Sequence, residues 1–104
     1  MEIRAEHHPG KSIIVIEKNK LIGIENENFQ SLIKDSIDKG SKNISIDLSK
    51  VEYISSWGIG ILIQAYTTCT NRNIKFNIES VNENVLNVLH QVKLDRLFNI
   101  NSKL

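Results

Sequence analysis

The sequence predicts an α/β fold with a mixed central β-sheet of about four to five strands and helices packed on it. Strand-like and helix-like segments follow one another in the order β-β-α-β-α-β-α, with a short C-terminal piece after them. Only a Pro9-Gly10 turn separates the first two strands, which predicts an antiparallel hairpin. Strands joined through helices are expected to be parallel, so the sheet should be mixed.

The strands are predicted from apolar runs and from alternation. The first covers about Glu2–His7, and the second contains the β-branched run Ile13–Ile16, which suits a buried strand. Polar residues 17–20 predict a turn. Apolar and polar residues alternate over Asn43–Leu48 and again over Ile74–Ile78, which is typical of half-buried strands.

Three helices are predicted between and after these strands. The first covers about Glu25–Lys39, with Gly40 as its stop signal, and the second covers about Trp57–Asn71. A third follows Ser80 and Glu83, which fit a capping box. The apolar stripes that support the three helices are Phe29, Leu32, Ile33 and Ile37; Ile59, Leu62, Ile63 and Tyr66; and Val85, Leu86, Val88, Leu89 and Val92.

Length and composition limit the classes of function. We expect residues 1–104 to form a single domain. With 13 basic and 12 acidic residues the chain offers no large basic patch, so nucleic acid is not a favoured partner. No apolar run approaches the roughly 20 residues of a membrane span, and the first residues lack the apolar core of a secretory signal. We therefore expect a cytoplasmic protein without membrane insertion.

The stretch VEYISSWGIGILI, residues 51–63, carries the functional prediction. Ser56 is expected to be the N-cap of the second helix, accepting a hydrogen bond from a free backbone N–H. A phosphoryl group on Ser56 would add roughly −1.5 to −2 charges at the positive end of the helix, where negative charge is tolerated. Gly58 and Gly60 would leave the first turn bare, so that a partner could approach closely.

Helical geometry places Trp57 nearly opposite the predicted core face of its helix, with Ile61 beside it. Together they would form a small apolar patch that contacts a partner or a second copy of the chain. If the helix began later, Trp57 would belong to the preceding turn and could fold inward. The sequence leaves both positions of Trp57 open, and it leaves the oligomeric state open.

No arrangement of residues predicts catalysis, a metal site or a cofactor. The segment is not a G-x-S-x-G elbow, and His7 and His8 are interpreted as surface residues without metal-ligand spacing. His90 is interpreted as a polar boundary residue, and Cys69 as a small buried residue. We therefore expect the protein not to be an enzyme.

The segment ISIDLSKVEYISSWGIGIL, residues 44–62, resembles the signature of STAS domains, the anti-sigma factor antagonist family. That signature is an apolar strand, Asp-Leu-Ser, a valine, an aromatic residue, an isoleucine or methionine, and then Asp-Ser-Ser/Thr-Gly-Leu-Gly opening a helix. The early apolar strand, the first helix, the strand around Phe76 and the closing LDRLF segment also fall in family order. The resemblance therefore covers nearly the whole chain.

The resemblance implies a function by protein–protein binding. Ser56 matches the serine that anti-sigma kinases phosphorylate in bacterial antagonists, with Ser55 as second choice. The implied partners are an anti-sigma factor with serine kinase activity and a phosphatase that restores binding. Residues at the same turn are the candidate partner-binding set, namely Ser55, Trp57, Gly58, Gly60 and Ile61.

The chain departs from the signature at three places. Ser55 stands where many regulated members have aspartate, Trp57 replaces a small residue, and Ile22 replaces the aspartate of an early Gly-x-Leu-Asp element whose glycine is also absent. In the family the two carboxylates lie near the phosphorylated serine. The alternative is thus a STAS interaction or scaffold module of a signalling or transport complex that is not phosphorylated.

Overall fold

The computed structural model describes residues 2–100 and begins with the predicted hairpin. Strands β1 (Ile3–His8) and β2 (Lys11–Ile16) pair antiparallel, with Ile3 opposite Ile16. Gly10 has φ +74° in the connecting turn, a conformation that glycine adopts without strain. The Pro9-Gly10 turn therefore reverses the chain as predicted.

Strand β4 (Asn43–Leu48) is parallel to β2 and to β6 (Lys75–Val81). Together with the hairpin, these strands form a central four-stranded sheet in the order β1-β2-β4-β6. Only the β1–β2 pair is antiparallel, so the sheet is mixed as predicted. Fully buried side chains run along its middle and form the core with residues from the helices: Ile14, Ile16, Ile44, Ile46, Leu48 and Ile78.

A second, two-stranded sheet lies beside the first and was not predicted. Strands β3 (Lys20–Leu21) and β5 (Tyr53–Ile54) pair in parallel. The prediction of a turn up to residue 20 was wrong at its last residue. A strand of two residues shows no alternation, so periodicity does not detect it.

Three helices follow the predicted order: α1 (Asn26–Asp38), α2 (Ser56–Asn71) and α3 (Glu83–Gln91). The predicted capping box of α3 is wrong, because β6 continues to Val81 and Ser80 lies within it. Asn82 is the cap instead, and its Oδ1 accepts a hydrogen bond from the backbone N–H of Asn84 at 2.8 Å. Within residues 2–100 no helix is long and apolar enough to cross a membrane.

Helix α2 packs against α1, β6 and the short strands with a different face from the predicted one. Of the predicted face, Leu62 is fully buried, Ile59 and Tyr66 are partly buried against the core, and Ile63 is 40% exposed. At about 100° per residue, the buried face lies about a quarter turn from the predicted one. Apolar residues lie on nearly all sides of α2 itself, so their periodicity does not identify the buried face. The small side chains identify it instead, because they allow close packing. The buried set is Gly58, Ile61, Leu62, Ala65 and Cys69.

The segment after α3 returns to the core through Phe98. Its ring lies 5.7 Å from the ring of Phe76 and 6.0 Å from that of Tyr66, between centroids. The Phe98 carbonyl accepts a hydrogen bond from the N–H of Ile78 in β6. This contact closes the outer edge of β6 with the LDRLF segment.

We predict that Phe98→Ala lowers the free energy of unfolding by about 3–5 kcal/mol, because it leaves a cavity among three packed aromatic rings. Leu97→Ala is the control, since Leu97 is the neighbouring residue and is 43% exposed. Urea denaturation followed by circular dichroism measures both changes. A loss in Phe98→Ala no larger than that in Leu97→Ala would contradict the packing of Phe98 in the core.

Candidate functional site

The pairing of β3 with β5 places the turn after β3 next to the residues that lead into α2. The carbonyl of Asn19 accepts hydrogen bonds from the N–H groups of Glu52 and Tyr53, at 2.8 and 3.1 Å. The carbonyl of Leu21, at the end of β3, accepts the N–H of Ser55 at 3.1 Å. Because parallel strands end at the same edge, the turn after β3 lies next to the beginning of α2.

Ser55, not Ser56, is the N-cap of α2. Its backbone is extended, and its Oγ accepts a hydrogen bond from the backbone N–H of Gly58 at 3.1 Å. The prediction for Ser56 was wrong by one residue, because a single residue connects β5 to the helix. Ser56 is the first helical residue, and its side chain is exposed.

The two glycines of the first turns have different surroundings. Gly58 is buried, and a Cβ there would lie 2.1 Å from the carbonyl oxygen of Leu21. The glycine thus allows α2 to approach β3, which contradicts the expectation that Gly58 leaves the surface open to a partner. Gly60 is exposed, and a Cβ there would have nothing within 4 Å.

Trp57 is 77% exposed, so of the two positions left open by the sequence it adopts the outward one. Ile61 is only 3% exposed, so the predicted exposed Trp57–Ile61 pair is wrong. The cause is the rotation of α2 described above, which turns Ile61 into the core. The apolar neighbour of Trp57 comes from another segment.

That neighbour is the turn that follows β3. Gly23 has φ +123°, and a Cβ at this position would lie 2.9 Å from the Cβ of Trp57. Ile22 and Ile24 flank this glycine and are both exposed, Ile24 by 80%. We call Ile22, Gly23, Ile24 and Trp57 the Trp57 surface. Ile24 was not among the predicted site residues, because it lies between Gly23 and the predicted start of the first helix, outside every periodic segment.

A cleft of about 270 Å³ opens beside the Trp57 surface, between α1 and α2. Asn26, Ser56 and Gln64 supply polar groups to its lining, and Ile61 contributes to it from the core. The side chain of Gln30 holds its walls together, because its Nε2 donates to Asn26 Oδ1 and to the carbonyl of Ile61, both at 3.0 Å.

Glu25, which is buried, and Lys18, which is partly buried, form an ion pair behind the turn. One carboxylate oxygen of Glu25 accepts the N–H groups of Ile22 and Gly23, at 3.0 and 2.9 Å, and the other lies 2.6 Å from Lys18 Nζ. Burial raises the pKa of the Glu25 carboxyl, but Lys18 and the backbone N–H donors outweigh this effect and lower its pKa. The same pair raises the pKa of Lys18. Glu25 therefore holds the turn in its charged form.

The family model of the STAS domain matches residues 2–104. The chain belongs to the STAS domain family. A relative from Thermotoga maritima, named "Putative anti-sigma factor antagonist", is 31% identical over 90 residues, which are 85% of this chain and 80% of the relative.

Solved structures share this STAS fold. An anti-sigma factor antagonist from Mycobacterium paratuberculosis superimposes with a TM-score of 0.78 at 21% identity, over 94% of this chain and 82% of that one. The unphosphorylated form of the antagonist SpoIIAA gives a TM-score of 0.80 at 12% identity, over 98% and 88% of the two chains. Its phosphorylated form, from Bacillus, gives 0.74 at 10% identity, over 98% and 91%.

Ser55 and Ile22 stand at the two positions where the family signature has carboxylates, and they have different roles in this STAS domain. Ser55 retains the helix cap without a charge. Ile22 is part of the exposed Trp57 surface. The carboxylate of Glu25 follows three residues later and is buried against Lys18.

The other reactive side chains of the STAS domain lie outside this site. His7 and His8 are exposed as predicted, and His7 Nδ1 lies 2.9 Å from Ser12 Oγ. Cys69 is buried as predicted, and burial raises the pKa of its thiol to about 11. Among residues 2–100 no three His, Cys, Asp or Glu side chains are grouped to hold a metal ion.

We predict opposite effects of alanine at the two helical glycines. Gly58→Ala should lower the free energy of unfolding by about 1–3 kcal/mol or more, because the new methyl group overlaps the Leu21 carbonyl. Gly60→Ala should raise it by about 0.5–1 kcal/mol, because alanine favours the helix and meets open space. Thermal denaturation of both variants tests this, and a Gly58→Ala variant as stable as the wild type would refute the close approach of α2 to β3.

Proposed function

We propose that this STAS domain is an anti-sigma factor antagonist that works by binding an anti-sigma factor with serine kinase activity. Phosphorylation of Ser56 would switch this binding off and a phosphatase would restore it, without a catalytic step in the domain itself. The observation that carries the proposal is the exposure of Ser56 and Trp57 on the first turn of α2. The names of the relatives, and the existence of SpoIIAA in an unphosphorylated and a phosphorylated form, support it.

Ser56 is the better phosphoacceptor of the two serines. The Oγ of Ser55 is used as the helix cap, and a cap of this kind stabilises a protein by about 1 kcal/mol. Modification of Ser55 would disturb that hydrogen bond. Ser56 is exposed and lies one residue further on, so its hydroxyl can accept a phosphoryl group while the cap stays in place.

The position of Ser56 also favours a switch that leaves the fold intact. A phosphoryl group brings about −1.5 to −2 charges, and the first turn of a helix carries a partial positive charge. The added charge is therefore compatible with α2. It would lie next to Trp57, where it changes the charge of the surface that a partner contacts.

Trp57 is the best candidate for the main contact with the partner. It is large, 77% exposed, and supported from below by Gly23. Tryptophan is enriched among the residues that contribute most to binding at protein interfaces. Ile24, the residue after Gly23, is 80% exposed and adds an apolar side chain to the same turn.

A second candidate function is a STAS interaction or scaffold module that is not phosphorylated. The absence of a carboxylate at Ile22 and at Ser55 favours it. In this case the Trp57 surface would bind its partner constitutively. A test of the switch must therefore be separate from the test of binding.

We predict that Trp57→Ala weakens binding of the anti-sigma factor at least about 30-fold, which corresponds to about 2 kcal/mol for a residue of this kind. The melting temperature should stay within a few degrees, because the side chain is outside the core. Ile63→Ala is the matched control, since Ile63 is exposed on another face of α2. Isothermal titration calorimetry against the anti-sigma factor identified below measures both, and equal affinities of variant and wild type would contradict the role of Trp57.

We predict that Ser56→Glu loses the partner, whereas Ser55→Asp retains it. Aspartate at residue 55 adds a charge one position away but can still cap the helix. Wild type and both variants serve as baits in native lysate, and mass spectrometry identifies a captured protein with an ATPase-type kinase fold. Capture of the same kinase by all three baits would exclude a charge switch at Ser56 and favour the scaffold module.

A further inference from the structure

We propose that Glu25 is a positioning residue for the Trp57 surface. Paired with Lys18, it holds the turn of residues 22–25 against the first turn of α2, so that Ile22, Ile24 and Trp57 are presented as one preordered surface. The effect of Glu25 on binding rests on the proposed function. The effect of Glu25 on the geometry of the Trp57 surface can be tested without that function.

Both oxygens of the Glu25 carboxylate have partners. Its side chain is 2% exposed, and its two oxygens have separate partners. One accepts two consecutive backbone N–H groups, from Ile22 and Gly23, and the other is paired with Lys18 at 2.6 Å. Hydrogen bonds to a charged acceptor are among the stronger ones in proteins, so this carboxylate fixes the backbone of the turn.

The Glu25 side chain points back along the chain and not toward α1. Glu25 is the residue before α1, where a polar side chain normally caps the first N–H groups of the helix. The Glu25 side chain makes no such bond with α1. It turns back to the preceding residues, so its hydrogen bonds serve the turn and not the helix.

Gly23 connects the turn to Trp57. The residue whose N–H donates to Glu25 at 2.9 Å, Gly23, is also the residue whose missing Cβ makes room for the base of the Trp57 side chain. The Gly23 carbonyl in turn accepts the N–H of Asn26 at 3.2 Å, which closes the turn. A displacement of Gly23 would therefore remove the support of Trp57.

An ion pair in which one partner is buried, as Glu25 is here, contributes little net stability by itself. The attraction between the charges must first compensate for their lost hydration, and an apolar pair of similar size often serves as well. A preordered surface, by contrast, lowers the entropy that binding costs. Control of the turn geometry therefore accounts for the pair better than a general gain in stability.

The variant that tests the proposal is Glu25→Gln. It keeps the size of the side chain but removes the charge that pairs with Lys18. Trp57 is the only tryptophan of the chain, so its fluorescence reports on the surface alone. At temperatures where the variant is folded, we expect lower anisotropy of Trp57, stronger quenching by acrylamide, and at least a tenfold weaker Kd for the anti-sigma factor.

A matched control separates positioning from stability. Ile33→Val removes one methylene from a buried residue of α1 outside the surface. It should lower the melting temperature but leave the fluorescence of Trp57 and the Kd unchanged. Unchanged Trp57 anisotropy in Glu25→Gln would overturn the positioning role of Glu25, and a changed anisotropy with an unchanged Kd would overturn its consequence for binding.

Hydrogen exchange in the wild type decides the question if Glu25→Gln does not fold. The proposal requires slow exchange of the Ile22 and Gly23 amides, because both donate to a buried carboxylate. Exchange at the rate of open loop amides would overturn it. If no anti-sigma factor binds the chain, the proposed function fails, while fluorescence and exchange still test the positioning by Glu25.

Discussion

The contact between α2 and the carbonyl of Leu21 is the constraint on which the site depends. Gly58 permits this contact because it has no Cβ, and the N–H of Ser55 donates to the same carbonyl. The two interactions fix the distance of the first turn of α2 from β3 and its rotation about the helix axis. Ile61 then points into the core, while Ser56 and Trp57 point outward. The exposure of the candidate site thus follows from one close approach between backbones.

The second side of the surface is fixed independently of the first. The turn after β3 is held by the Glu25 carboxylate, and Gly23 in that turn lies against the base of Trp57. Since β3 and β5 are parallel neighbours, the turn and the helix start from the same sheet edge. Two segments that are far apart in sequence, around Gly23 and around Trp57, consequently form one small surface. This surface requires glycine at two places, 23 and 58, for two different contacts.

The sequence was sufficient for the fold and insufficient for the face of α2. Alternation and β-branched runs identified the strands of the main sheet, because those strands are long enough to show a period. The two-residue strands β3 and β5 show none, and without them the cap was assigned to Ser56 instead of Ser55. Helix α2 is apolar nearly all round, so its buried side is set by where Gly58 can approach β3, which is a tertiary property. Exposure of Trp57 was one of two expected positions, whereas its neighbour Ile24 was missed because no helical or strand pattern includes it.

The division of tasks between Ser55 and Ser56 bears on how a binding surface can be regulated without loss of stability. Folding uses the first serine: its N–H donates to the Leu21 carbonyl of β3, and its Oγ caps the helix by accepting the N–H of Gly58. The second is exposed at a position where the helix end favours negative charge. A charge added at Ser56 would thus act on the partner through the Trp57 surface and leave the Leu21 contact unchanged. An aspartate at residue 55 would preserve the same division, because it can cap the helix, so the serine found there is compatible with a switch at Ser56.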